Sequence, residues 1–286
     1  TGSFKFRGAY NKIRHLSDAE KARGVITASA GNHAQGVALT AHLLDIDATV
    51  VMPKTAPLAK QQATSGYGAK VVLAGDTFDE SRAFMEQKAK EDGLTIVDPY
   101  NDPLVIAGQG SIGLEILDQL WDVDTVIVPV GGGGLITGIA TVLKHFDPYI
   151  HIVGVQSENV HGMTASLQAG KLTRQCTGPT LADGTAVAMP GDITFGLAEE
   201  LVDEMVLVSE EEIAEAMKDL LQRTKTVAEG AGALPTAALE AHKIAPQWLA
   251  GKKVVALVSG GNVDLERVAD NIDHFFKSDP TGHFIG

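Results

Sequence analysis

Apolar positions along the chain fall into short β-branched runs, each closed by Gly, Pro, Ser or Asp and separated by stretches in which apolar residues recur at helical spacing. The pattern predicts strands at 25–29, 48–53, 70–74, 95–98, 124–130, 151–156, 204–208 and 253–259. Between them it predicts helices near 33–44, 58–66, 78–92, 104–120, 134–146 and 210–224. Alternation of this kind predicts an α/β fold with parallel strands covered by helices on both faces. Ligands in such folds sit beyond the carboxyl ends of the strands, so chemistry is expected in the strand-to-helix loops. No fixed-period repeat or Ser/Pro-rich linker divides the chain, and the strongest break is "PYNDP", residues 99–103.

Composition narrows the function classes. A chain of 286 residues, 44 % apolar, is large enough for two domains or one large one. The formal net charge of −13 and the lack of a basic run argue against a nucleic-acid partner. Cys176 is the single cysteine, so neither an internal disulfide nor a cysteine-based zinc site is expected. No apolar run approaches the roughly 20 residues that cross a bilayer, and no signal-peptide pattern opens the chain. No membrane partner and a cytoplasmic location are the expectation.

Four stretches carry candidate chemistry. In "SFKFRG", Lys5 lies between two phenylalanines. A lysine near a chain start is ordinarily a solvated charge, but aromatic neighbours favour loss of water, which favours the neutral, nucleophilic amine. In "TASAGNHAQG", a strand runs into a helix start that could bind a carboxylate through its free N–H groups; taken alone, Ser29 or Asn32 reads first as a helix cap. In "VIVPVGGGGLITG", four successive glycines carry a large backbone-entropy cost, which suits a phosphate held by main-chain N–H groups, with a tight turn as the alternative. This loop has neither the P-loop Lys-Ser/Thr nor G-x-G-x-x-G spacing. In "VVALVSGGN", Ser259 could donate to a ring nitrogen or cap a helix.

In this order, "SFKFRG", "SAGNHAQG", "GGGGL" and "SGGN" resemble the fold-type II pyridoxal-phosphate enzymes, which include threonine dehydratases, serine dehydratases and serine racemases. The resemblance covers essentially the whole chain. The stretches "GVQSENVHGMTAS", "LADG" and "EGAGAL" look most like the catabolic threonine dehydratases. The resemblance implies two doubly wound parallel-sheet domains, the smaller (24–103) inserted in the larger (1–23 and 104–286). It implies pyridoxal 5'-phosphate as cofactor, with Lys5 as its covalent anchor and catalytic base and Phe4 packed against its ring. Asn32 would bond the phenolic oxygen, and Ser259 the ring nitrogen. Gly131, Gly132, Gly133, Gly134 and Leu135 would hold the phosphate. Ser29, Ala30, Gly31, Asn32 and His33 would receive the substrate carboxylate. The implied reaction is β-elimination and deamination of L-threonine to 2-oxobutanoate and ammonia, with L-serine giving pyruvate. The alternatives are an L-serine or 3-hydroxyaspartate dehydratase or, from another class, an impaired cofactor-binding protein or N-terminally truncated fragment.

Departures from the relatives sharpen these expectations. Serine racemases carry a second serine where this chain has Ala30, and two carboxylates of a divalent-metal site where it has Gln156 and Gly162. Racemisation and a divalent metal are therefore not expected. The chain ends 27 residues after Ser259, too soon for the isoleucine-sensing extension of biosynthetic relatives. An AMP-type effector, as in degradative relatives, and a homodimer or homotetramer are the remaining partner expectations. The first residue is Thr and only four residues precede Lys5, so either assembly through this region or a longer active protein is expected.

Overall fold

The computed structural model describes residues 1–263. Two four-stranded sheets, every pairing parallel, account for all eight predicted strands. The first holds β1 (Val25–Ala28), β2 (Ala48–Met52), β3 (Lys70–Leu73) and β4 (Thr95–Ile96) in the order β3-β2-β1-β4. The second holds β5 (Thr125–Pro129), β6 (His151–Ser157), β7 (Glu204–Val208) and β8 (Val254–Ala256) in the order β7-β6-β5-β8. In each sheet the chain steps outward twice and then returns to the far side of its first strand. Each sheet therefore has a switch point, between β1 and β4 and between β5 and β8, where a crevice opens beyond the strand ends.

Alternate residues of each strand enter different cores, as the two-residue period of a strand requires. Val25 and Val50 join Ala34 and Val37 of α3 (Asn32–Leu43), along with Ala9 and Ile13 of α1 (Lys5–Arg14). Ile26 and Val51 face Met85 and Ala89 on the opposite side. In the second sheet, Val126, Val128 and Ile152 pack with Ile136 and Ile139, while Ile127, Val153 and Val155 pack with Ile213, Ala233 and Leu234. Burial of each such Val, Ile or Leu contributes about 1.5–3 kcal/mol, which explains why apolar runs of four or five residues suffice to define these strands.

The remaining helices are α2 (Asp18–Arg23), α4 (Leu58–Gly66), α5 (Phe78–Asp92), α6 (Pro103–Gln119), α7 (Gly134–Phe146), α8 (Gly162–Ala169), α9 (Asp192–Leu201), α10 (Glu210–Asp219) and α11 (Gly230–Glu240). The predicted helix 210–224 proves shorter: α10 stops at Asp219, a π turn covers Leu220–Thr224, and Lys225 closes it in the left-handed region at φ 60°. The strand predicted at 253–259 ladders only over Val254–Ala256; Leu257 still donates to Ile127 O at 3.1 Å, and the chain then leaves the sheet. The break at 99–103 is built by two carboxylates. Asp98 accepts from the N–H groups of Tyr100 and Asn101, and Asp102 caps α6, whose first residue is Pro103.

Helix α1 is wedged between α3 and α6 by the absence of side chains. A Cβ on Gly108 would lie 2.6 Å from Arg7 O, one on Gly36 would lie 3.1 Å from the Lys5 backbone, and one on Gly8 would overlap Gln109. Gln109 Oε1 instead accepts the Gly8 N–H at 3.1 Å, satisfying a donor of the first helical turn. Lys12 pairs with Asp102 at 2.7 Å, and Arg7 engages both carboxylate oxygens of Glu115. These contacts fix where the first residue of α1 stands, and that residue is Lys5.

Candidate active site

Both switch points open onto one cluster of loops. The loop after β1 carries Ser29, Ala30, Gly31, Asn32 and His33, and the segment after β4 carries Val97, Asp98, Pro99 and Tyr100. The loop after β5 carries the four glycines, and the segment after β8 carries Ser259, Gly260 and Asn262. Contacts link them: Asn262 Nδ2 donates to Asn32 Oδ1 at 2.8 Å, Phe4 N donates to Ser259 O at 3.1 Å, and Tyr100 packs against Gly132 and Gly134.

Lys5 is half-buried as a residue, with its amine at the protected end. Nζ donates to Pro99 O at 2.7 Å and lies 5.3 Å from the centre of the Phe4 ring. Loss of water pulls its pKa down to about 8, against the opposing pull of Asp98 and Glu229. Its place at the positive end of α1 acts in the same direction as burial. Such an amine is neutral in about a tenth of molecules at pH 7, far more often than an ordinary lysine, and in that form it can attack a carbonyl.

Two helix starts present unpaired donors. Among the described residues, the N–H groups of Gly131, Gly132, Gly133 and Gly134, and those of Asn32 and His33, have no acceptor. Gly132, Gly133, Gly134 and His33 are buried, and buried donors without partners cost about 1–3 kcal/mol each, so these positions suit anions that complete them. The glycines are required sterically. Gly133 has φ 99°, a Cβ on Gly134 would lie 2.9 Å from Tyr100 Cα, and one on Gly132 would overlap the Tyr100 ring. Thr194 Oγ1 donates to Gly132 O at 2.6 Å and steadies the loop. Leu135 differs from its neighbours in that its side chain belongs to the apolar core with Ile136 and Ile139.

His33 is buried, and its Nε2 donates to Val97 O at 2.9 Å, which leaves Nδ1 as an acceptor with no partner among the described residues. Burial, reinforced by Lys5, lowers its pKa to about 4, so the ring is neutral. Ser29 Oγ accepts from Gly31 N at 3.2 Å, a turn within the loop rather than a cap on α3. Ser259 is 7 % exposed. Pattern reading missed Glu229, a buried carboxylate at the start of α11 whose Oε1 accepts from Asn32 Nδ2 at 2.7 Å. Burial, with Asp183 adding to it, raises its pKa to about 7. A single Glu among small residues carries no periodic signal, and the same holds for the backbone carbonyls of Val97 and Pro99.

Gln156 and Gly162, the two positions at which no metal-binding carboxylate is expected, lie in closed surroundings. Gln156 is fully buried, with Nε2 donating to Val130 O at 3.1 Å and Oε1 accepting from Thr164 N and Oγ1 at 2.9 and 2.8 Å. A Cβ on Gly162 would lie 2.5 Å from Ala188 O, so a carboxylate side chain has no room there.

A water-stripped amine, a side-chain-free loop of unpaired N–H groups and an amide held by Glu229 and Asn262 in the same loop cluster suit the aldehyde, phosphate and phenolic oxygen of pyridoxal phosphate. Comparison with known proteins agrees. The family model described as pyridoxal-phosphate dependent enzyme matches residues 1–260. The chain is 66 % identical over 274 residues to L-threonine dehydratase catabolic TdcB of Staphylococcus aureus (strain N315), covering 96 % of this chain and 79 % of that protein. Among solved structures, the processed form of threonine deaminase isoform 2 from Solanum lycopersicum superposes with a TM-score of 0.87 at 44 % identity, covering 94 % of this chain and 79 % of that one. Maize serine racemase superposes with a TM-score of 0.89 at 34 % identity, covering 96 % and 84 %. The chain belongs to the family of pyridoxal-phosphate dependent enzymes, in its fold-type II branch.

Proposed function

We propose that this protein is a threonine ammonia-lyase that uses pyridoxal phosphate to convert L-threonine to 2-oxobutanoate and ammonia, with L-serine as a second substrate yielding pyruvate. The observation that carries this reading is a water-stripped Lys5 amine in the same loop cluster as two sets of unpaired N–H groups, in a chain so similar to a catabolic threonine dehydratase. When bound, pyridoxal phosphate supplies a conjugated ring that takes up the electron density released at the substrate Cα.

The protein's own residues do the rest. Lys5 Nζ would hold the cofactor at its aldehyde, and the same amine, when free, would accept the proton from the substrate Cα. The N–H groups of Gly131, Gly132, Gly133 and Gly134, at the positive end of α7, hold the phosphate; Leu135 contributes its backbone, since its side chain faces the core. The N–H groups of Asn32 and His33, in the loop with Ser29, Ala30 and Gly31, receive the substrate carboxylate. The Asn32 amide serves the phenolic oxygen, Phe4 packs against the ring, and the Ser259 hydroxyl serves the ring nitrogen without holding a proton on it. Ala30 has no proton to give to the opposite face of Cα. Net loss of water across Cα–Cβ and hydrolysis of the C–N bond then yield the 2-oxo acid and ammonia.

Because attack requires the neutral amine, the rate at which cofactor-free protein captures pyridoxal phosphate is expected to climb as pH passes about 8 and then level. Stopped-flow absorbance measures this, and a rate flat across that value would mean that another group reacts. The wider reading is tested by 2-oxo acid release from threonine, serine and 3-hydroxyaspartate, with chiral analysis of residual substrate. Threonine should turn over without racemisation, and turnover should survive chelation of divalent ions, given the closed positions at Gln156 and Gly162. Absence of 2-oxobutanoate from cofactor-loaded protein would overturn the assignment.

The proposal includes residues 24–103 as the smaller unit inserted between 1–23 and 104–286, of which 264–286 lie outside the described residues. It includes assembly as a homodimer or homotetramer and response to an AMP-type effector, both measurable by light scattering with and without AMP. Among the described residues, no helix is long and apolar enough to cross a membrane, and a cytoplasmic location is part of the same proposal.

A further inference from the structure

Glu229 precedes α11 and is 6 % exposed. Its backbone is pinned, N–H to Gly260 O at 3.1 Å, and its Oε1 sits where a Cβ on Gly260 would overlap it. That oxygen accepts from Asn32 Nδ2 at 2.7 Å, while Asn32 Oδ1 accepts from Asn262 Nδ2 at 2.8 Å. A primary amide has two N–H donors and one carbonyl oxygen. The network engages the oxygen and one donor, and so fixes both the flip of the amide and the donor that stays available.

We propose that Glu229 is a positioning residue that acts through Asn32, holding its amide so that the second N–H serves the phenolic oxygen of the cofactor. This rests on the function proposed above. An amide free to rotate could equally present its carbonyl oxygen to the phenolic oxygen, setting two acceptors against each other. A carboxyl also does something that a fixed acceptor cannot. Lys5 at the start of α1, Lys60 on α4 and Asp183 in the short turn Asp183–Thr185 all act on it, and burial with Asp183 lifts it to about 7 against Asn32, Lys60 and Lys5. As it ionises, a negative charge appears beside the amide, so the Asn32 contact is coupled to pH near neutrality.

The test uses cofactor-loaded wild type, Glu229→Gln and Glu229→Ala, reading cofactor affinity and the pH dependence of the bound cofactor's absorption. Wild type should show a spectral transition near pH 7. Glu229→Gln keeps an acceptor for Asn32 and should bind cofactor within about threefold of wild type, yet lose that transition. Glu229→Ala should weaken cofactor binding about tenfold. A wild-type transition retained in Glu229→Gln overturns the inference, as does undiminished affinity in Glu229→Ala; should the alanine variant not fold, the glutamine spectrum decides. Normal cofactor uptake by wild type with both variants unchanged sinks this inference alone, whereas no uptake by wild type sinks the proposed function with it.

Discussion

Lys5→Ala is expected to lower turnover of threonine by about 10³-fold or more, because the proposed function gives one side chain the work of both covalent anchor and proton acceptor. The variant should lose the visible absorption of lysine-bound cofactor while, with both proteins cofactor-free, melting at or above the wild-type temperature, since a water-stripped amine has been removed from the interior. Lys5→Arg is the sharper control. It retains positive charge, but a guanidinium does not deprotonate in this pH range and cannot serve as the nucleophile. Measurable 2-oxobutanoate formation at near wild-type rates in either variant would show that another group carries the chemistry.

The second large effect is expected at a glycine outside the loop cluster. Gly108→Ala places a methyl group 2.6 Å from Arg7 O and 2.7 Å from Gly8 Cα, and backbone atoms cannot turn aside as a side chain can. Overpacking of this kind costs about 1–3 kcal/mol, and its relief requires α1 to move away from α6. Since Lys5 begins α1, both thermal stability and cofactor affinity should fall together. Gly196→Ala, where an added Cβ meets nothing within 4 Å, is the matched control and should be neutral or stabilising by up to about 1 kcal/mol. Undiminished cofactor affinity in Gly108→Ala would show that the α1–α6 crossing does not set the position of Lys5.

What was legible in the sequence follows the physical origin of each signal. Strands β1, β5 and β6, buried on both faces, read as continuous apolar runs, and the more exposed β3, β4, β7 and β8 were visible from β-branched residues and turn punctuation; helices α4, α5 and α7 were visible to the residue because turn chemistry brackets them. Helix α11 was not. Its sequence, with Gly230, Gly232 and an internal Pro235, opposes helix formation, and it forms because small residues let it approach Leu181 and Gly260 closely. Helix α1 was hidden for a related reason, its seat depending on Gly8, Gly36 and Gly108, which are far apart in sequence. The functional reading of Lys5, Asn32, the glycine loop and Ser259 came from four ordered motifs taken together, since each loop alone was ambiguous. Glu229 lay inside a stretch noticed only for its resemblance, and its burial beside Asn32 is a tertiary fact.

The two sheets face their switch points toward one cluster of loops, with Asn32 on one side and Gly131, Gly132, Gly133 and Gly134 on the other. A molecule held by both sides is also a clamp between them, and whatever opens the protein must first lose it. At free cofactor a hundredfold above its dissociation constant, such linkage adds about 2.7 kcal/mol to resistance against opening. Shifts of about 1–2 kcal/mol change the amount of a protein surviving cellular proteases several-fold. The abundance of this enzyme, and not only its turnover, would then follow vitamin B6 supply: in cells starved of the vitamin it would be degraded as apoprotein, leaving threonine intact.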